Sequence, residues 1–399
     1  MRLGTARRAL AGACAAHALH DGYTDLIYLL LPIWQSEFGL DYAALAMLRG
    51  LYAGVMAVVQ VPVGHMAARR FGPRSLLVAG TLLAAGGYAL AGFSGSLLVL
   101  CICLALSGAG SGTQHPLASA SVSRAYGAGA RGPLGTYNFS GDLGKAGLPA
   151  LVSLLLTVMH WRAALWVVAG IGLVVAVGVR FLVPSGNAAP MATRSVRGEG
   201  RGGFSLLFAI GMLDSAVRMG FLTFLPFLMK AKGADIPTVG LSLALVFLGG
   251  AAGKFACGWL GARLGLLLTV LATEAGTAAA ILAVLVLPMG PSMVILPVLG
   301  VMLNGTSSVL YGTVPELTTS DRVERAFALF YTGTIGAGAL APILYGALGD
   351  ITSANWATVA TAITALVILP LAVMLAPKLI SPDTLPVSAH HGAAPGRGR

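Results

Sequence analysis

An all-α membrane protein of twelve transmembrane helices, arranged as two pseudo-symmetric bundles of six, is the fold this sequence predicts, and three observations predict it. Of 399 residues, 57% are hydrophobic and only 10% charged, with a mean hydropathy of +0.85, a balance outside the range of soluble domains. The apolar residues gather into twelve segments of about 20 residues or more, the length that crosses a bilayer. One long polar interruption divides those segments six and six.

In chain order the spans read 9–34, 42–67, 75–93, 96–120, 134–158, 162–183, 204–230, 238–261, 265–287, 292–314, 326–348 and 355–376. Arg2, Arg7 and Arg8 ahead of small and apolar residues match the start of a secretory signal. The apolarity nevertheless runs on through Leu31 and encloses acids, so an uncleaved first span is expected. Residues 1–183 form the first bundle, the Gly- and Pro-rich stretch Pro184–Gly203 a linker, and 204–377 the second bundle. The tail 378–399, with Pro382, Pro386 and a Gly-Arg end, reads as disordered, and His390 and His391 as solvated rather than ligating. The 54 glycines suit helices that approach closely in lipid.

The net charge of +11 would raise the question of nucleic acid in a soluble protein. Its distribution answers it. Counting Arg162, Arg180 and Lys230 at span ends with the adjoining loops, 18 of the 25 Lys and Arg lie on the side of the N-terminus, the even-to-odd loops and the C-terminus, 3 on the other side and 4 deep within spans. That bias places both termini in the cytoplasm and makes the bilayer, not nucleic acid, the partner. Cys14, Cys101, Cys103 and Cys257 sit inside apolar segments with no CxxC spacing, so neither a disulfide nor a metal site is expected. The Gly-rich runs 108–112 and 249–253 lack the strand and the Lys-Ser/Thr ending of a phosphate loop, so no cofactor is implied.

The halves repeat one another. Gly64, Ala68 and Arg69 after the second span are matched by Gly258, Ala262 and Arg263 after the eighth. Asp21 and Asp25 precede Pro32 much as Asp214 and Arg218 precede Pro226. Parallel six-span repeats belong to two-bundle transporters whose site lies at the midplane between the halves.

The six-plus-six layout and the loop from Gly64 through Arg69, Arg70 and Arg74 resemble the major facilitator superfamily, whose corresponding loop carries Gly-x3-Asp-Arg. The acid of that pattern is Ala68 here and Ala262 in the second half. Within that superfamily, His17, His20 and Asp21, together with the run from Ser107 to His115-Pro116, are similar to the fosmidomycin-resistance type of bacterial exporter. The resemblance implies a bacterial inner-membrane location and the efflux of drug-like compounds or organic anions. It further implies a cavity lined by spans 1, 4, 7 and 10, flanked by 2, 5, 8 and 11.

Ionisable groups inside a span are costly, by about 2.5–3.5 kcal/mol at the bilayer centre on insertion scales, and mark function by default. His17, Asp21 and Asp25 fall at i, i+4, i+8, one stripe of a helix. With His20 they are the candidates for carrying a proton, since a carboxyl in a low-dielectric site and an imidazole both titrate near neutrality. Asp142 and Lys145 in span 5, and Asp214 and Arg218 in span 7, lie at a similar depth and are candidates for substrate binding. Their i+3 and i+4 spacing also allows neutralised pairs within one helix. Gln114, His115, Tyr137, Asn138, Asn304, Tyr311 and Tyr331 complete the expected substrate surface; interhelical hydrogen bonding is the competing role for each. Arg49, Lys254 and Glu274 lie away from the middle of their spans and are expected to be packing or gating charges. Asp25 and Arg218, at corresponding places in the two halves, are expected to meet across the cavity.

The reading that follows is a monomeric secondary active transporter, exporting a small organic compound in exchange for protons by alternating access. Proton-linked or facilitated uptake of a small metabolite is the alternative, and a transport-inactive sensor or scaffold a third. No nucleophile-base or metal constellation points to an enzyme.

Overall fold

The computed structural model describes residues 3–69, 72–185, 202–318 and 323–379. Its elements are α1 (Leu3–Phe38), α2 (Tyr42–Arg69), α3 (Pro73–Ala91), α4 (Leu97–Ser111), α5 (Gln114–Tyr126), α6 (Arg131–Leu155), α7 (Trp161–Leu182), α8 (Phe204–Ala231), α9 (Ile236–Val286), α10 (Met289–Leu317), α11 (Val323–Ile351) and α12 (Ala354–Leu375). Among the described residues there is no strand. The linker core at 186–201, the tail from 380 onward and Arg70 lie outside the described residues.

These helical elements correspond to the twelve expected spans, but not one to one. The fourth span is α4 and α5 together, broken at Gly112 and Thr113. Pro116, early in α5, has no N–H to return to the Gly112 carbonyl, which removes one of the bonds that would carry the helix across the break. The eighth and ninth spans are instead joined as the 51-residue α9. That element turns at Gly265, whose φ of 77° is open to glycine and unfavourable for other residues. By length and composition, nine helical stretches among the described residues qualify as membrane spans, α9 counted once. The helices α1 and α6 fall outside that set, and they carry the densest intramembrane charge.

The glycine runs explain how the helices come close. A Cβ on Gly108 or Gly112 would run into the carbonyl oxygens of Tyr52 and Met56 in α2, and one on Gly110 into the backbone of α3 at Gly80 and Ala84. Gly249 and Gly253 do the same for α9 against Pro297 and Val301 of α10. Both runs are crossing points of helix backbones, which small residues permit in membranes.

The core shows how the halves meet. At the end opposite the chain termini, one continuous apolar cluster runs from Tyr23, Leu26, Trp34 and Tyr52 of the first bundle to Phe221, Leu225, Leu243 and Leu303 of the second. At the end carrying the termini there are two separate clusters, one around Ala13, Val63, Leu117 and Val179, the other around Leu207, Val270, Leu310 and Phe330. The bundles touch chiefly through α2 on α11 and α6 on α9. They are fused at one end and parted at the other, and the parting leaves a cavity of about 630 Å³.

Candidate functional site

That cavity is lined by His17 and Asp21 of α1, Met56 and Gln60 of α2, His115 and Ser119 of α5, Tyr137, Asn138 and Lys145 of α6, Lys254 of α9, and Tyr331 of α11. Both bundles therefore contribute. All these positions lie toward the end that carries the termini, and the His115 side chain keeps 42% of its surface exposed.

His17 is held from two sides. Its ring stacks on Tyr137 at 4.1 Å between centroids, and Nδ1 lies 2.8 Å from the Tyr137 carbonyl oxygen. A carbonyl only accepts, so Nδ1 carries hydrogen and donates. Nε2 then faces Asp21 Oδ2 at 3.3 Å. A carboxylate only accepts as well, so this contact calls for one further proton, on Nε2 or on the carboxyl. Asp21 also faces Lys145 Nζ at 3.3 Å and His115 Nε2 at 3.7 Å. Gly141 makes room for this group, since a Cβ there would sit 2.6 Å from the His17 ring nitrogen and 2.7 Å from the Asp21 carboxyl. Gln114 is fully buried and donates to the Tyr137 hydroxyl at 2.7 Å.

The residues set aside as packing or gating charges turn out to be the partners. Lys254 Nζ is 2.7 Å from both oxygens of Asp142 and joins α9 of the second bundle to α6 of the first. Lys145 stands 3.8 Å from the same carboxylate, so the i+3 pair exists but is the looser one. Arg49 pairs with Asp25 at 3.7 Å and lies over the Tyr28 ring. Glu274 lies buried beside Asp214 inside the second bundle. The expected meeting of Asp25 with Arg218 is corrected accordingly: Asp25 takes Arg49, and Arg218 takes Asp214 at 3.9 Å and the Ser307 hydroxyl at 3.3 Å. Charge balance was the signal that sequence reasoning passed over. Five buried acids, Asp21, Asp25, Asp142, Asp214 and Glu274, cannot be matched by Lys145 and Arg218 alone, and Arg49 and Lys254 are the other cations away from the span ends.

Other candidates fall outside the cavity. His20 is enclosed by hydroxyls, with Nδ1 2.8 Å from Ser111 and Nε2 3.0 Å from Thr81. Thr81 gives its own hydrogen to the Leu77 carbonyl, so it accepts from His20, whose two nitrogens are then satisfied without a second proton. Asn304 bonds the Gly300 carbonyl and packs on Gly250. Tyr311 meets Thr334 at 3.0 Å and lies beside Tyr331. Of the loop residues, Arg263 lies over the Trp259 ring, Gly258 borders a separate groove near Glu316, and Arg74 is half-buried at the start of α3. The surroundings of Gly64 and the Arg69 side chain lie outside the described residues, as does Arg70.

His17, Asp21 and His115 offer ligand atoms within 4.8 Å of one another. A metal cation there would stand against the Lys145 ammonium on the same carboxylate. The set suits a proton, and the paired lysines suit an anionic or hydrogen-bonding guest.

The family model of the Major Facilitator Superfamily matches residues 13–206 and 207–396. No curated protein sequence matches the chain. Among solved structures, a bacterial homolog of the human lysosomal transporter Spinster, in an inward-facing and occupied conformation, is similar with a TM-score of 0.75 and 15% identity, over 94% of this chain and 98% of that one. Its unoccupied inward-facing form gives 0.77 and 14% identity, over 95% and 98%. The nucleoside transporter NupG gives 0.77 and 12% identity, over 94% and 100%. At these identities the likeness is one of fold.

Proposed function

Because the chain belongs to the Major Facilitator Superfamily, whose members are transporters and not enzymes, we propose that it is a proton-coupled exporter of a small organic compound bearing an anionic group, working in the bacterial inner membrane. The observation that carries this reading is the contact between His17 and Asp21, where two acceptors flank one imidazole and a proton must lie between ring and carboxyl. The Lys and Arg bias supports cytoplasmic termini, so the cavity is the inward-open one. Lys145 and Lys254 supply positive charge to a guest, and Asp21 accepts a donor group from it. Such a guest takes Asp21 in place of the proton, and the two then alternate in the cavity as the bundles rock. The resemblance of His17, Asp21 and His115-Pro116 to the fosmidomycin-resistance type of exporter supports the direction.

The test is purified protein in liposomes carrying an internal pH dye, challenged with a panel of organic acids and drug-like anions. Compounds that move are expected to move protons the opposite way. Asp21→Asn is expected to abolish accumulation driven by a pH gradient while leaving exchange of the compound between the two sides. Accumulation by Asp21→Asn that still follows the pH gradient would sink this assignment, and transport without any proton movement would sink proton coupling altogether.

A further inference from the structure

The two buried charge clusters differ in their balance. In the first, Asp21, Asp25 and Asp142 face Lys145, Arg49 and Lys254, one cation for each acid. In the second, Asp214 and Glu274 are 4% and 2% exposed, and among the described residues the cation facing them from their own bundle is Arg218. The two carboxyls are close neighbours across α8 and α9, Glu274 Oε2 is buried with no hydrogen-bond partner, and Thr306 beside Glu274 gives its own hydrogen to Thr273 at 2.8 Å. Two carboxylates side by side in a buried site with one guanidinium repel each other, and a proton on one of them relieves the repulsion. One proton also brings two acids and one guanidinium to neutrality, which a low-dielectric interior demands.

We propose that Asp214 and Glu274 form a second proton-binding site, located in the second bundle and distinct from the cavity. The site deepens the proton-coupled reading above and rests on it only for its role in the cycle, since the bound proton follows from the carboxyl pair alone. The groups facing it are Arg218 on α8 and Tyr311 on α10; on α1, Asp25 lies toward Arg218 and Tyr28 bonds Met219 of α8, α12 carries no titratable residue, and α11 contributes Tyr331 and Tyr345 beyond. Neither carboxyl lines the cavity, so a guest there does not displace this proton. Its exchange with water requires α8 and the second half of α9 to part. Release hands the proton to water and leaves two carboxylates against one guanidinium, a state that favours prompt recapture. Glu274 Oε2 and Arg218 Nε, both buried without a hydrogen-bond partner, are atoms that such a rearrangement would satisfy.

Infrared spectroscopy of the purified protein tests this without any substrate. At neutral pH the wild type is expected to show the C=O stretch of a protonated carboxyl, shifting on slow exchange into heavy water. The band is expected to persist in Asp21→Asn, to vanish when Glu274→Gln is added to Asp21→Asn, where Asp214 pairs with Arg218 as a carboxylate, and to shift without loss in Thr306→Val. Absence of the band in the wild type, or its persistence in the Asp21→Asn, Glu274→Gln double variant, overturns the proposal, as does a band that disappears in Asp21→Asn. Should Glu274→Gln not fold, the wild-type band and its response to Thr306→Val decide. Liposomes that show no proton movement would remove the exporter reading and leave this spectral result standing.

Discussion

Glu37 shows how one carboxylate is placed at the outer end of α1, past the apolar stretch that closes at Trp34. It accepts from Trp161 Nε1 and from Arg162, each at 2.5 Å, and Arg162 in turn lies over the Trp161 ring and bonds the Ser94 carbonyl. Partial burial works against the charge, but the bonds from Arg162 and Trp161 outweigh it and hold the carboxyl below the ordinary glutamate range. A depressed folded value means that the group stabilises the fold at neutral pH and ceases to do so as pH falls through the ordinary range to the folded one. Glu37→Gln is expected to cost about 1 kcal/mol at pH 7, given a charge-assisted bond that is partly solvated. Below the glutamate range that difference is expected to disappear. Thermal unfolding in detergent across pH checks this; an equal loss at every pH would show that the charge is not what matters. Lys254 and Asp142 differ from this group in kind, because their bond joins the two bundles.

At helix level the glycines divide into those that set crossings and those that do not. A Cβ on Gly110 would strike the backbone of Gly80 and Ala84, which cannot swing aside as a side chain can. Gly110→Ala is therefore expected to destabilise by about 1–3 kcal/mol, the usual cost of overpacking. Gly170 in α7 has nothing within 4 Å of such an atom. Gly170→Ala is expected to be neutral or mildly stabilising, since alanine is the better helix former. Comparing the two melting temperatures in one detergent tests the crossing; equal behaviour would mean that α3 and α4 can separate freely.

Across the whole molecule, closure at the end away from the termini depends on a cap supplied from the opposite bundle. The first N–H groups of α2 have no partner within that helix. Asp41 accepts from Ala44 N at 2.7 Å, and Asp350 at the end of α11 accepts from Tyr42 N at 2.7 Å and Ala43 N at 3.0 Å. A carboxylate at a helix N-terminus also gains from the helix dipole. Tyr42 packs between Phe224 and Phe227, and Gly346 admits the Ala43 backbone. Asp350→Ala is expected to shift the population toward the state open at this end by about fivefold, corresponding to the loss of one helix cap of about 1 kcal/mol. Accessibility of a cysteine placed between α2 and α11 near this end reads the shift. Unchanged labelling would show that aromatic packing alone keeps the end closed.

How much of this was readable from the chain varies with what each feature depends on. Hydropathy over about 20 residues depends only on local order, so the spans and the stripe of His17, Asp21 and Asp25 on one helix were legible in sequence. The matching glycine and arginine positions in the two halves likewise pointed to paired bundles. Partner choice was not legible. Asp142 finds Lys254, 112 positions away, because α6 and α9 lie side by side at a particular rotation and depth, and no periodicity within either helix encodes that. The same holds for Asp25 with Arg49, where the likeness of the two halves pointed to Arg218 instead, and for Asp214 with Glu274, which no spacing along one helix could reveal. It holds again for His20, whose place on α1 looks like that of a cavity residue until the hydroxyls of Thr81 and Ser111 close around it. A helix fixes which residues share a face, but the packing of neighbouring helices decides what each face meets, and in a bilayer that decides which buried charges are balanced and which must hold a proton.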